Sequence, residues 1–84
     1  MNAKALIEAY IDYPQAGYLR YTPRFSLIAV SGGGYLGTYE VDAYFDAGDS
    51  VAQIKTKIRD AIIAHAATLG YNVNSTNVGS IFQI

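Results

Sequence analysis

The residues of this chain whose types could do chemistry are one histidine and a short acidic run. His65 is the only histidine, and it falls within an apolar pattern with no nucleophile or orienting carboxylate near it in the sequence. Glu40 and Asp42 share one side of an alternating segment, where two carboxylates could hold a hard cation or act as an acid–base pair. Their spacing lacks the alternating-ligand loop of calcium sites. We therefore predict packing for His65, solvated carboxylates, no metal, no cofactor and no enzymatic activity.

Glycines in the middle of the chain match a dinucleotide-binding spacing. Gly32, Gly34 and Gly37 satisfy G-x-G-x-x-G, but that motif needs a helix directly after it, whose N-terminus faces the pyrophosphate. Residues from Thr38 onward alternate between apolar and polar types instead, as a strand does. The spacing therefore indicates the tip of a hairpin. The sequence contains no cysteine, which excludes thiol nucleophiles, disulfides and thiolate metal sites.

Residues 10–25 are rich in tyrosine and arginine. The whole chain carries eight tyrosines, and in residues 17–25 aromatic residues alternate with arginines. This composition stacks bases and neutralises phosphates, but it also anchors protein interfaces. Since six Lys and Arg stand against seven Asp and Glu, the net basic charge typical of nucleic-acid binders is missing. We therefore predict a protein interface, with a nucleic-acid-binding module built on Tyr18–Phe25 as the alternative. The predicted contacts are Tyr10, Tyr13, Tyr18, Arg20, Tyr21, Arg24 and Tyr44.

The length and composition limit the class of protein. With 84 residues, the chain has room for one domain, residues 1–84. It is 51% hydrophobic and only 15% charged, so it should fold and leave apolar surface exposed. No apolar run reaches the roughly 18 residues that span a bilayer, and no secretory signal opens the sequence. We expect a soluble protein made in the cytoplasm, without a membrane partner.

A helix is predicted between Ser50 and Leu69. Apolar residues such as Ile54 and Ile58 recur there at helical spacing. Ser50 with Gln53 three residues later is typical of a capping box, and Gly70 stands where a left-handed C-terminal cap belongs.

Strands are predicted on both sides of this helix. Residues 38–45 alternate strictly, residues 25–30 are apolar, and the glycines between them favour an antiparallel hairpin. Residues 3–13 fit a strand and a helix equally well, and we choose a strand because a lone hairpin is barely stable. Residues 72–77 are predicted as a loop before a closing strand at residues 80–84. The predicted fold is α+β, a small mostly antiparallel sheet with one helix on one face, in the order β-β-β-α-β.

A single helix covers only one face of such a sheet. Large apolar and aromatic residues would then point to the other face, which is an interaction surface by default. Basic residues on the helix and acidic ones on the strand would suit electrostatic registration between identical copies. The residues expected on the uncovered face are Leu6, Tyr10, Ile28, Val30 and Tyr44.

The tyrosine-rich hairpin from Arg20 to Phe45, the low charge and the helix start at Asp49-Ser50-Val51 resemble small structural proteins of tailed bacteriophages, such as capsid-decorating or tail-associated subunits. The resemblance rests on size, composition and element order. It implies a virion component that works as repeated copies on a larger protein surface, and it assigns no binding residue. We therefore predict a structural subunit that forms a homo-oligomer or docks on a larger structural protein.

Overall fold

The computed structural model describes residues 1–7 and 20–79 of the chain. Its elements, in chain order, are β1 (Asn2–Ile7), β2 (Arg20–Tyr21), β3 (Arg24–Ala29), β4 (Tyr35–Glu40), β5 (Ala43–Tyr44), α1 (Val51–Thr68) and β6 (Asn72–Val78). Four strands form one sheet in the order β4-β3-β1-β6, and β2 pairs with β5 in a separate two-stranded sheet. The predicted α+β class is confirmed.

The four-stranded sheet is mixed. β1 is antiparallel to β3, and β3 is antiparallel to β4, whereas β6 runs parallel to β1 on its other side. The chain leaves one edge of this sheet at β4 and returns at the opposite edge in β6, with α1 in between. A parallel return of this kind needs a long crossover connection, and the helix supplies it.

The core lies between α1 and one face of the sheet. The buried helix residues recur every fourth position and pack against alternate residues of β1 and β3. Each fully buried isoleucine or phenylalanine contributes about 1.5–3 kcal/mol relative to exposure. The buried apolar residues of this core cluster are Ala3, Ala5, Phe25, Leu27, Ala43, Phe45, Ile54, Ile58, Ile62, Ala66 and Val73.

The helix begins and ends as its sequence predicts. The Ser50 hydroxyl accepts a hydrogen bond from the Gln53 backbone N–H, and the Gln53 side chain accepts one from the Ser50 backbone N–H. This capping box satisfies two donors that a helix start otherwise leaves unpaired. Gly70 has a φ of +86°, and the Tyr71 N–H then reaches the Ala66 carbonyl at 3.0 Å. The chain thus turns directly from α1 into β6.

The β3–β4 hairpin is confirmed, and a bulge interrupts it at Gly37. Gly32 and Gly33, in the connection, both have positive φ. Further along, the pairing register shifts between Leu27 and Ile28, which pair with Gly37 and Tyr35, and Gly37 has a φ of +122°. A bulge of this type inserts an extra residue and resets the alternation of side chains. The Tyr39 ring lies against Gly37, and its hydroxyl donates to the Leu36 carbonyl at 3.1 Å.

Two strand predictions need correction. The single strand expected at residues 38–45 is divided, because β4 ends at Glu40 and β5 belongs to the second sheet. Residues 72–77, expected as a loop, belong to strand β6. Pairing with β1 supplies the backbone hydrogen bonds that the weak strand propensity of asparagine does not predict, with Asn72 N–H donating to the Met1 carbonyl at 2.8 Å. The strand expected at residues 3–13 is confirmed as far as Ile7, and the remainder and residues 80–84 lie outside the described residues.

Candidate interaction surface

Four of the seven predicted contact residues lie in the described part of the chain: Arg20, Tyr21, Arg24 and Tyr44. Tyr10, Tyr13 and Tyr18 fall outside it. The structure divides the four between the two-stranded sheet and the start of β3, an interior strand of the larger sheet. They therefore belong to two separate surfaces.

The first surface, which we call the Tyr44 patch, consists of Arg20, Thr22, Asp42 and Tyr44. Arg20 and Tyr44 face each other across the β2–β5 pairing, and Tyr44 is 65% exposed. The Thr22 hydroxyl donates to Asp42 Oδ1 at 2.5 Å, and the Tyr44 hydroxyl lies 3.3 Å from Asp42 Oδ2. The Thr22 hydrogen bond, helped by that of Tyr44 and by the Arg20 charge, lowers the pKa of Asp42. An ionised carboxylate thus organises this exposed aromatic and basic group.

Tyr21 lies on the opposite side of the same short strand. Its ring is half-buried and packs against the core. Burial raises the pKa of the Tyr21 hydroxyl to about 12, because the phenolate would lose solvation there. Only part of this ring can reach a partner, so its predicted role as a contact stays a prediction.

The second surface, which we call the open face, is the side of the four-stranded sheet opposite α1. Its alternate strand positions bring Leu6 and Tyr35 to solvent, 44% and 66% exposed, with Val30 50% exposed just beyond β3. The positions predicted for Leu6, Ile28 and Val30 are confirmed by the strand register. The position predicted for Tyr44 is wrong, because β5 belongs to the other sheet. The residues whose strand positions point to this face are Lys4, Leu6, Arg24, Ser26, Ile28, Tyr35, Thr38 and Glu40, and Ser26 among them is buried.

A line of hydroxyl groups fixes Tyr35 on the open face. The Tyr35 and Thr38 oxygens lie 2.5 Å apart, and the Thr38 and Ser26 oxygens lie 3.0 Å apart. Residues 35 and 38 would face opposite sides of an unbroken strand. The bulge at Gly37 brings them to the same side, which is why alternation alone did not place Tyr35 on this surface.

Charges also occupy the open face. Lys4 is exposed in β1, and Glu40 is exposed at the end of β4, beside Arg24 of β3. Within residues 1–7 and 20–79, no hydrogen bond or ion pair holds the side chain of Lys4 or of Glu40. No pattern in the sequence indicated Lys4, and Glu40 was expected on the same side of a strand as Asp42. In the structure Glu40 lies on the open face and Asp42 lies in the Tyr44 patch.

The histidine is packed among aromatic rings. The His65 ring lies 6.1 Å from that of Phe25, edge to face, and 5.8 Å from that of Tyr39. These spacings are typical of favourable aromatic pairs. His65 therefore joins α1 to β3 and β4, as expected for a residue at the edge of the core.

The acidic residues before α1 form a structural ion pair. Lys57 donates to the carboxylates of Asp49 and Asp46, the latter at 3.1 Å. The hydrogen bond from Lys57 lowers the pKa of Asp49, and the bond to Asp49 raises the pKa of Lys57. This pair ties the β5–α1 connection to the helix. No group of three or more metal-ligating side chains is present in the part of the chain that the structure describes.

A small cavity lined mainly by asparagines lies where the start of β1 meets β6. It measures about 140 Å³ and is lined by Asn2, Val30, Asn72, Asn74 and Asn77. The amide of Asn72 donates to the Asn2 side-chain oxygen at 3.3 Å, which links the two parallel strands. This cluster was not predicted from the sequence, because residues 72–77 were expected to form a loop.

Comparison of the chain with protein-family models, with curated proteins and with solved structures finds no match. No helix in residues 1–7 and 20–79 is long and apolar enough to cross a membrane. The two surfaces themselves must therefore support any functional conclusion.

Proposed function

We propose that the protein is a non-enzymatic structural subunit that associates with copies of itself or docks on a larger protein assembly. The observation that carries this proposal is the open face, where Leu6, Tyr35 and neighbouring Val30 are exposed on one sheet surface. Contiguous apolar surface of this kind marks interaction sites in small proteins. The Tyr44 patch, on the two-stranded sheet, offers a second exposed aromatic side chain.

The exposed tyrosines are already oriented for contact. Tyr35 is held by Thr38, and Tyr44 lies within hydrogen-bonding distance of Asp42. A side chain that is fixed before binding loses less conformational entropy on association. Tyrosine is also favoured at interfaces because its ring buries apolar area while its hydroxyl stays hydrated. Both features support binding to protein.

The charge distribution supports a protein partner over a nucleic acid. Asp42 lies between Thr22 and Tyr44 in the patch that also contains Arg20, and Glu40 lies beside Arg24. Carboxylates at these positions would repel the phosphates that a basic groove must attract. The resemblance to small bacteriophage subunits supports a place for such a protein in a virion.

Light scattering over a series of protein concentrations tests the proposal with two matched variants. Leu6→Ser removes an apolar side chain from the open face, and Leu69→Ser makes the same change at a 40% exposed position beyond α1. We expect self-association of the unchanged protein, a roughly fivefold weaker association for Leu6→Ser from about 1 kcal/mol of lost burial, and no effect of Leu69→Ser. A protein that stays monomeric throughout, or equal effects of the two substitutions, would contradict self-association through the open face.

A further inference from the structure

Strand β6 contains more residues than its pairing with β1 uses. Ala3 of β1 pairs with Val73 of β6, and the next described pair joins Ala5 to Val78. A step of two residues along β1 therefore corresponds to a step of five along β6. An ordinary bulge adds one residue to a strand, whereas this irregularity adds three. The residues between the two pairs are thus released from the alternation of an unbroken strand.

A turn inside this bulge brings side-chain amides together. Asn74 Oδ1 accepts hydrogen bonds from the backbone N–H and from the hydroxyl of Thr76, both at 3.2 Å, which is a local turn typical of asparagine. Residues 74 and 77 would face opposite sides of an unbroken strand. Here both line the cavity of about 140 Å³, together with Asn2 and Asn72. These are all four asparagines of the chain, and we call the site the asparagine cavity.

Most hydrogen-bonding groups of the asparagine cavity have no partner among the described residues. Each side-chain amide offers one oxygen acceptor and two N–H donors. The Asn72 amide donates to Asn2 Oδ1, and the Asn74 oxygen is held by Thr76. Within residues 1–7 and 20–79, nothing forms a hydrogen bond with the side chain of Asn77. The cavity therefore presents both donors and acceptors to a ligand.

The lining of the cavity favours one class of ligand. Besides the amides it contains Val30, which is 50% exposed, and none of the described residues adds a charged or aromatic side chain to it. Calcium and magnesium sites are built on carboxylates, and single-stranded nucleic acids need aromatic rings on which bases stack. Amides donate and accept hydrogen bonds without charge, and hydroxyl groups do the same. A sugar ring presents hydroxyls on adjacent carbons and an apolar C–H surface, for which Val30 offers a contact.

We propose that the asparagine cavity binds adjacent hydroxyl groups on one ring of a neutral saccharide. The inference goes beyond the proposed function, because a saccharide is a different class of ligand from a protein partner. The cavity is far larger than the roughly 15 Å³ that one water molecule needs, and it is smaller than the about 300 Å³ at which drug-sized sites begin. It therefore takes the edge of one sugar ring. A contact this small binds weakly, with a dissociation constant of about 1 mM.

Nuclear magnetic resonance of the isotopically labelled full chain tests the proposal. The probes are the methyl glycosides of glucose, mannose and galactose, each added in increasing excess. The side-chain amide signals of the four asparagines should shift and saturate with at least one of these sugars. The signal of Gln53, whose side chain is engaged in the start of α1, should stay in place and serves as an internal control. Ca²⁺ and adenosine monophosphate, which represent the other ligand classes, should leave the asparagine signals unchanged.

Two variants locate the site. Asn77→Ala removes an amide that no described residue bonds, and it should weaken sugar binding roughly fivefold through the loss of a hydrogen bond. Ser75→Ala changes an exposed residue of the same bulge that does not line the cavity, and it should bind sugar like the unchanged protein. Circular dichroism confirms that both variants are folded.

Three results would overturn the inference. They are the absence of saturable shifts with every sugar, shifts of the asparagine signals with Ca²⁺ or adenosine monophosphate but with no sugar, and equal sugar affinities of Asn77→Ala and Ser75→Ala. Self-association is measured separately by light scattering, so the proposed function and the saccharide site can fail independently.

Discussion

Replacement of Gly37 by alanine should destabilise the β3–β4 hairpin through a specific collision. A Cβ atom at this position would lie 2.6 Å from the Tyr39 hydroxyl oxygen and 2.9 Å from the ring carbon that carries it. The φ of +122° is also one that residues with side chains rarely adopt, which costs about 1–3 kcal/mol. Displacement of Tyr39 would break its hydrogen bond to the Leu36 carbonyl, a further loss of about 1 kcal/mol. We expect Gly37→Ala to lower the free energy of unfolding by about 2–4 kcal/mol.

Gly33→Ala provides the matched control. Gly33 also has a positive φ, +70°, but a Cβ atom there meets nothing within 4 Å. Its substitution should cost only the backbone strain, about 1–2 kcal/mol. Urea unfolding measures the free energy of unfolding of both variants. If its slope against urea concentration matches that of the unchanged protein, the substitutions have not altered the surface that unfolding exposes. The difference between the two variants then combines the collision with Tyr39 and the less favourable φ of Gly37.

A double-mutant cycle with Tyr39→Phe tests the cause directly. Phenylalanine lacks the hydroxyl that makes the closest contact, so Gly37→Ala should cost less in that background. The reasoning is refuted if Gly37→Ala costs no more than Gly33→Ala, or if the cycle shows no coupling. A relaxed strand without the bulge would also turn Tyr35 away from the open face, so the variant should weaken association as well.

Two further predictions concern titration. Asp42→Asn should reduce the loss of stability on acidification. The pKa of Asp42 in the folded protein lies below its usual value of 3.8. The ionised carboxylate therefore stabilises the fold above pH 3.8, and this stabilisation is lost as the pH falls through the folded pKa. Thermal unfolding between pH 5 and pH 2 measures this, and an identical acid profile would count against the role of Thr22 and Tyr44. Tyr21→Phe should reduce the loss of stability at alkaline pH. The pKa of Tyr21 is raised to about 12 in the folded protein, so folding favours the neutral phenol. This contribution to stability is fully present below pH 10 and is lost as the pH rises towards about 12. Urea midpoints across this interval provide the measurement, and an unaltered alkaline slope would show that burial of Tyr21 has no such effect.

Local signals in the sequence predicted the elements that depend on local contacts. Ser50, Gln53 and Gly70 fix the start and end of α1 through bonds within a few residues, so the capping pattern was sufficient. The hairpin was likewise indicated by its glycine-rich connection. The burial of Ala43 and Phe45 followed from alternation even though the strand is divided, because the alternation of side chains persists through the break between Glu40 and Ala43.

The sequence could not predict features that depend on distant partners. β6 contains little that favours a strand, and its pairing is decided by β1, some 70 residues earlier. The bulge at Gly37 depends on the Tyr39 ring and on the register with β3, and it hid the position of Tyr35 from an argument based on alternation. The placement of Lys4 and Glu40 on one face of the sheet depends on the strand order, which no local pattern contains.

The parallel pairing of β1 with β6 has a consequence for synthesis on the ribosome. β1 and the β3–β4 hairpin can pair as soon as the first 40 residues have emerged. The other edge of β1 receives its hydrogen bonds only from residues 72–79, including the bond from the Gly79 N–H to the Ala5 carbonyl. During that interval the nascent chain presents an unpaired strand edge to every neighbouring polypeptide, which is a template for premature pairing. The completion of β6 thus ends the exposure of this edge of β1.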